Sequence, residues 1–533
     1  MIKPLLFTLP LLMSFWVMPD FFEPFIDSKW FLFYTFCLLV CAADLLSILP
    51  IGLLEQRSIC FKLSILVFIL VIVYLIVPII NRNSFISSAE FLQRALFLSA
   101  LLPLSRFFQN QNPFDGICIF CRSCLIALFL VIFHSIMTDI GILSLPKSLI
   151  DMERVPSSFG NINMLASFVG LGLPFIFLGQ KKDYKELKLF YISGQIMGLC
   201  FLVHIGCRSV LLGVTTAYLV IYIKDLKLKM MLNIFVFLFL SICIVAIFIP
   251  LSGFNEYLVT KMANNHLRWV VIDATLNMII DHPLGIGPGN FADTYQYYFN
   301  FEDVVDRRMF RSPHNDLLKT IAENGVANFA IILVIFILSI VYRKKSDFRD
   351  YRQFFIFFFT VANCEFIFQF PLELGHTNFY LIVAASFYLS FIKTYKSLYV
   401  LYLRLFIKIT VFGFLVFFTY KNTYYSMQAQ SCKQDLRCLH QVCSESGNSI
   451  FCIYHANVAL ATKNYHQAKN ASIALEKNEP LSFHAKITKL KILFETDTIK
   501  NSCDNYSAFK SLNHKFSFLT PQYEAKCSSM KKG

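Results

Sequence analysis

Gly206-Cys207-Arg208-Ser209 separates two apolar runs, 189–206 and 209–223. Each run approaches the length needed to cross a hydrocarbon layer of roughly 30 Å. A connection this short reads as a tight turn at a membrane face. A guanidinium between two hydrophobic spans costs about 2.5–3.5 kcal/mol unless it finds a partner. That partner is an anion such as a lipid phosphate or a carboxylate, or else the arginine snorkels to headgroups.

Runs of this kind recur near 5–19, 30–51, 59–80, 91–108, 117–143, 164–179, 189–206, 209–223, 232–251, 326–342, 354–370, 378–392 and 405–419. With 56% hydrophobic residues and a mean hydropathy of +0.58, they predict an all-α polytopic membrane protein of about 12–13 transmembrane helices. The first run reads either as an uncleaved signal anchor or as a span, since no small-residue cleavage site follows it. Arg94 makes the fourth a weak span.

The net charge of +14 is no sign of a nucleic-acid partner, because the lysines and arginines sit in alternate short loops. Lys181, Lys182, Lys185 and Lys188 form one cluster; Lys224, Lys227 and Lys229 another; Arg343 to Arg352 and Lys393 to Lys408 hold the rest. Such loops face the cytosol. That rule puts the amino terminus inside, and the loop 252–325 and the tail after 420 outside. The chain thus divides into a membrane body, 1–420, and a soluble tail, 421–533.

Cysteine usage agrees with this orientation. Ten of the sixteen cysteines lie in or beside apolar runs, where Cys118, Cys121 and Cys124 read as a helix stripe rather than a metal site. Cys432, Cys438, Cys443, Cys452, Cys503 and Cys527 lie in the tail, an even number suited to disulfides in an oxidising compartment. Within the tail, 456–480 resembles a single degenerate tetratricopeptide repeat, although an ordinary helical hairpin reads equally well.

The long outer loop carries the polar chemistry. In Arg311-Ser312-Pro313-His314-Asn315-Asp316-Leu317-Leu318, Ser312 suits an N-cap and Pro313 a first helical position, placing His314 in an opening turn. The positive end of a helix disfavours imidazolium, which keeps the ring able to accept a proton. Glu323-Asn324-Gly325 ends that helix. Arg268 opens an amphipathic stretch in which Leu267, Val270, Val271, Ala274, Met278 and Ile279 repeat at helical spacing, which suits a helix lying on the membrane or on the core. Gly285-Ile286-Gly287-Pro288-Gly289 lacks a preceding strand, so it reads as a sharp turn allowing close backbone approach, not as a dinucleotide fingerprint. His266 and His282 make no recognisable metal site with His314. Segments 144–163, 206–209, 281–291 and 370–373 all reach the outer face, where they can converge on His314.

Gly206-Cys207-Arg208-Ser209, the turn from Pro283 to Phe291, and His314-Asn315-Asp316-Leu317-Leu318 followed by Glu323-Asn324-Gly325 resemble the bacterial O-antigen ligase superfamily over roughly 150–390. That superfamily includes lipid A-core ligases, O-linked protein oligosaccharyltransferases and related polymerases. The resemblance implies an inner-membrane glycosyltransferase, working on the periplasmic side without metal or cofactor. Its donor would be a glycan on undecaprenyl pyrophosphate, and its acceptor a lipid A-core or protein hydroxyl. His314 would be the general base, while Arg208 and Arg268 would bind the pyrophosphate. Arg154, Asn163, Arg311 and Asn315 are further candidate substrate-binding residues. Phe370-Pro371-Leu372-Glu373 resembles an outer segment of the protein-glycosylating branch. A polyprenyl-linked substrate transporter, the alternative class, predicts inverted repeats that this chain does not display.

Overall fold

A computed structural model describes residues 2–15, 17, 24–48, 89–110, 113–139, 159, 161–222, 270–287, 289–298, 312–326, 351–369, 372 and 374–391. In the tail it describes 416, 420, 423–425, 427–432, 435–446, 449–478, 483–496, 502–504, 506–507 and 527. The expected spans near 59–80, 232–251 and 326–342 lie outside these residues, as does nearly all of 405–419. Arg154, Arg268 and Arg311 lie outside them too.

Every described element is helical. The membrane body comprises α1 (Ile2–Phe15), α2 (Pro24–Ile48), α3 (Ala89–Asn110), α4 (Pro113–Asp139), α5 (Ile162–Lys182), α6 (Lys188–Ile205) and α7 (Arg208–Tyr222). The polar loop supplies α8 (270–281), a single turn α9 (Phe291–Thr294) and α10 (316–326). The body then resumes with α11 (Arg352–Phe368) and α12 (Gly375–Leu389). Four tail helices follow: α13 (Leu436–Ser446), α14 (Ser449–Ala461), α15 (Tyr465–Asn478) and α16 (Phe483–Thr496).

Three of the described helical stretches are long and apolar enough to cross a membrane: Asp115–Thr138, Ile162–Lys182 and Lys185–Ile205. Apolar stretches in α1, α2 and α7 are shorter, and α3, with Glu90, Arg94 and Arg106, does not qualify. Lipid provides no hydrophobic force between helices, so interlocked side chains must hold the bundle. Aromatic contacts do much of this. Phe120 meets Phe175 at 4.7 Å between ring centroids, and Phe175 continues to Phe354 at 5.0 Å and Tyr380 at 5.8 Å. Cys118, Cys121 and Cys124 are buried along α4, as a helix stripe requires.

The two ends of the bundle carry different polar contacts. At one end Arg122 grips Asp183 through two hydrogen bonds of 2.7 and 2.8 Å, and Tyr191 adds a third. There Lys181 also donates to Gln353. At the other end Lys29 Nζ donates to the Met13 carbonyl at 2.6 Å and lies over the Phe159 ring. Loops 181–188 and 343–352 were expected on one face, and 206–209 and 370–373 on the other. Among the described residues, Lys181 meets Gln353 at one end and Ser209 meets Gln369 at the other.

In the tail, α14 and α15 form a helical hairpin whose tight turn puts Lys463 at a positive φ. All six tail cysteines pair: Cys432 with Cys438, Cys443 with Cys452 and Cys503 with Cys527. The third pair belongs to a cluster with Leu490 and Tyr506, and Tyr297 of the polar loop packs against it. The tail is therefore docked on the loop segment that follows the glycine-rich turn.

Candidate functional site

The site is built on α10. Asn315 caps this helix, its Oδ1 accepting from the Leu318 N–H at 3.0 Å, and Lys319 N–H closes the first turn on the Asn315 carbonyl. Ser312 was expected as the cap, with His314 inside the helix. Instead, Ser312 Oγ is buried without a hydrogen bond to any described residue, and His314 precedes the cap with φ of 53°. An asparagine side chain reaches the third helical amide without the proline, so the cap moves three residues along. His314 then takes the left-handed backbone that reverses the chain into the helix. That conformation costs a non-glycine residue about 1–2 kcal/mol. Among the described residues only His314 and Lys463 adopt it outside glycine.

The far end of α10 is closed by the glycine-rich turn. The amides of Ile286 and Gly287 donate to the carbonyls of Ala322 and Glu323, and Val326 N–H returns to the Pro283 carbonyl. These bonds satisfy carbonyls that a helix terminus leaves without partners. The approach is so close that a Cβ on Gly285 would stand 2.5 Å from the Glu323 carbonyl oxygen, at φ of 88°. The turn thus spends its amides on protein, as expected for a close-approach turn rather than a phosphate cradle. Beneath it Val271, Ala274 and Met278 of α8 pack with Ile286, Phe291, Tyr295 and Ala322, which bears out the amphipathic reading of that stretch. Tyr298 ties down the other side. Burial first, then a hydrogen bond to the Asp281 carboxylate, pushes its phenol up to about 12.

The α10 unit is joined to the bundle through the segment before α12. Buried Asp316 accepts from the Leu372 N–H at 2.6 Å, and the Leu372 carbonyl accepts from Asn378 Nδ2 at 2.8 Å. Three residues earlier, Gln369 Nε2 donates to Ser209 Oγ at 3.1 Å. Three residues span at most about 11 Å of chain, so the Arg208 turn and the start of α10 share one end of the bundle.

Around that turn, Gly206 ends α6 in the left-handed region, and exposed Arg208 begins α7. Buried Cys207 Sγ lies 3.7 Å from Asn163 Oδ1 and 3.6 Å from Ser209 Oγ. The Asn163 N–H in turn meets Asn161 Oδ1, the N-cap of α5. The starts of α5, α7 and α10 and the end of α11 are thus stitched together. Asn163 and Asn315 were expected to bind substrate; the carboxamide oxygen of each takes part in this framework.

Sequence reasoning passed over Lys29, Glu365, Gln369 and His376, all buried. His376 Nε2 lies 3.0 Å from the Met164 carbonyl with its ring edge-on to Phe159, and Ser167 donates to Glu365 one turn before Gln369. The signal was present, since ionisable residues within apolar spans are costly enough to mark a function. The described residues contain no group of three or more ligands arranged for a metal ion.

No curated protein gives a significant match to the chain. Residues 194–333, running from within α6 through α7, the glycine-rich turn and α10, match the family model described as O-Antigen ligase. Over those residues the chain is similar to the O-antigen ligase superfamily.

Proposed function

We propose that this protein transfers a glycan from undecaprenyl pyrophosphate to an acceptor hydroxyl on the periplasmic face of the inner membrane. The observation that carries the reading is His314, held in a left-handed backbone before a capped helix tied to the bundle end that bears Arg208. Strained non-glycine backbone concentrates where a side chain must be aimed.

The chemistry balances without a further group. The acceptor oxygen attacks the anomeric carbon, the bond from that carbon to phosphate breaks, and undecaprenyl pyrophosphate leaves. His314, at the positive end of α10, takes the acceptor proton. Arg208 at the first position of α7 offers its guanidinium beside helix amides, a setting that favours an anion. Arg268, two residues before α8, would supply the second cation, and Arg154 and Arg311 would hold the glycan or pyrophosphate. The acceptor is lipid A-core or a protein hydroxyl. A disulfide-bonded tail docked at Tyr297 supports an acceptor that meets the tail as well as the loop. Disulfides also support placing tail and loop in an oxidising compartment.

The test measures ladder-bearing lipopolysaccharide and glycosylated envelope protein in a deletion strain complemented with variants. His314→Ala and Arg208→Ala should abolish transfer while the protein stays in the membrane at wild-type amount. Wild-type transfer by either variant refutes the assignment.

A further inference from the structure

The end of α11 holds two buried polar side chains, Glu365 and Gln369, four residues apart and therefore one turn from each other. Gln369 closes the helix, its N–H returning to the Glu365 carbonyl at 2.7 Å. Glu365 is completely buried. Its Oε2 accepts from the Ser167 hydroxyl of α5, and its Oε1 has no hydrogen-bond partner among the described residues. Gln369 Nε2 donates to Ser209 Oγ at 3.1 Å, and Gln369 Oε1 is buried with no partner among those residues either. Two acceptor oxygens thus stand one turn apart with no described donor for either.

An ionised carboxylate is costly inside a membrane bundle unless a cation meets it. No described ion pair involves Glu365. Turning the Gln369 amide round would bring it one N–H, which still leaves an ion facing two neutral donors. The helices also approach closely here. A Cβ on Gly213 of α7 would stand 3.1 Å from the Val361 Cα of α11, and one on Gly170 of α5 would stand 2.3 Å from Val210 Cγ1. A proton on Glu365 Oε1 resolves both difficulties. It neutralises the acid and supplies a donor for Gln369 Oε1, at a spacing where paired side chains reach each other.

We propose that Glu365 is a proton-bearing positioning residue: its carboxyl O–H grips Gln369 Oε1 and so fixes the Arg208 turn through Ser209. The inference rests on the reading of Arg208 as the pyrophosphate site. With that one proton the hydrogen bonds run in a single direction. Ser167 donates to Glu365, Glu365 to Gln369, Gln369 to Ser209, Ser209 to Cys207 Sγ at 3.6 Å, and the Cys207 thiol to Asn163 Oδ1 at 3.7 Å. Both chain neighbours of Arg208 are therefore held. Hydrogen bonds in such a series polarise and strengthen one another where water is excluded. Glu365 touches neither sugar nor phosphate; it acts by keeping the guanidinium where an anion meets it.

The experiment uses the full-length protein in detergent and has three readouts. Infrared difference spectra between wild type and Glu365→Gln at neutral pH should show the C=O stretch of an unionised carboxylic acid, moving down in deuterated solvent. A carboxylate band in its place overturns the proposal. Hydrogen exchange at Leu211, whose amide donates to the Cys207 carbonyl, should speed up in Glu365→Leu. It should keep the wild-type rate in Glu365→Gln, which retains a neutral donor. Transfer kinetics should show KM for the undecaprenyl-pyrophosphate donor raised about tenfold in Glu365→Leu, with kcat changed less than about threefold. Glu365→Gln should match wild type in both. Gln369→Leu should give the same rise in KM, and Glu365→Leu/Gln369→Leu no further one. Unchanged exchange or KM in Glu365→Leu, or a change in either for Glu365→Gln, overturns the assignment. A wild type without any transfer refutes the glycosyltransferase reading instead, and the first two readouts still decide the role of Glu365.

Discussion

Asp316 Oδ2 and the Leu372 amide lie 2.6 Å apart, a charge-assisted hydrogen bond joining the first turn of α10 to the residue that leads into α12. Two positions before Asp316 stands the strained His314; three before Leu372 stands Gln369, bonded beside Arg208. One buried carboxylate therefore sets the placement of the proposed base against the proposed anion site. Asp316→Ala leaves the Leu372 amide without its acceptor, at a cost of about 1–3 kcal/mol. We expect transfer to fall by at least about tenfold while the protein still inserts, with Asp316→Asn retaining more activity. Steady-state transfer rates on both variants check this, and an unchanged rate for the alanine variant would remove Asp316 from the argument.

His314 separates stability from activity. Its left-handed backbone is strained for an imidazole-bearing residue but open to glycine. His314→Gly should therefore keep the wild-type Tm in detergent and lose transfer entirely. A clear drop in Tm would mean that the ring is chiefly a packing element.

Gly285 tests the closure of α10. A methyl group there must displace the Glu323 carbonyl and at the same time adopt φ of 88°. Gly285→Ala should cost about 2–4 kcal/mol and open the turn. Hydrogen exchange at Ile286 and Gly287, whose amides donate across the interface, should speed up. Unchanged protection at those amides would show that the turn tolerates the side chain.

Asp183 gives a pH dependence at the opposite end of the bundle. Burial works against its ionisation, but hydrogen bonds from Arg122 and Tyr191 outweigh this and hold the carboxyl well below its ordinary range. A depressed folded-state value means stability that is present above the unfolded value near about 3.9 and lost as pH falls below it. Asp183→Asn should lower stability by about 2 kcal/mol at pH 7. The gap from wild type should hold down to about pH 4 and shrink further down; thermal unfolding across that range measures it.

The tail should steady the loop through Tyr297. Cys503 and Cys527 are 24 residues apart in sequence, and a cross-link of that span contributes roughly 3 kcal/mol. In Cys503→Ser/Cys527→Ser, proteolysis near Tyr297 should accelerate while cleavage within α4 to α7 stays unchanged. Equal rates at Tyr297 would show that the docked cluster survives without its bond.

Local signals carried the sequence reading well where one segment settles its own state. The Gly206 turn, the buried face of α8, the cysteine stripe of α4 and the disulfide bonding of the tail follow from hydropathy, spacing and backbone freedom close at hand. The cap of α10 shows the limit. Ser312-Pro313 and Asn315 both suit a helix start, and tertiary contact from Asp316 to Leu372 accompanies the later one. Likewise Lys29, Glu365 and His376 stand in apolar runs as isolated polar residues, and only packing shows which carbonyl or hydroxyl each one meets.

The amino-acid order by itself determined an all-helical membrane chain, because burial in lipid and helical periodicity act on short stretches. Tertiary structure alone decided that Arg208, Leu372 and His314 gather at one bundle end and that the tail meets Tyr297. Those juxtapositions join segments more than fifty residues apart, and contacts of such range leave no periodicity behind for a reader of the chain.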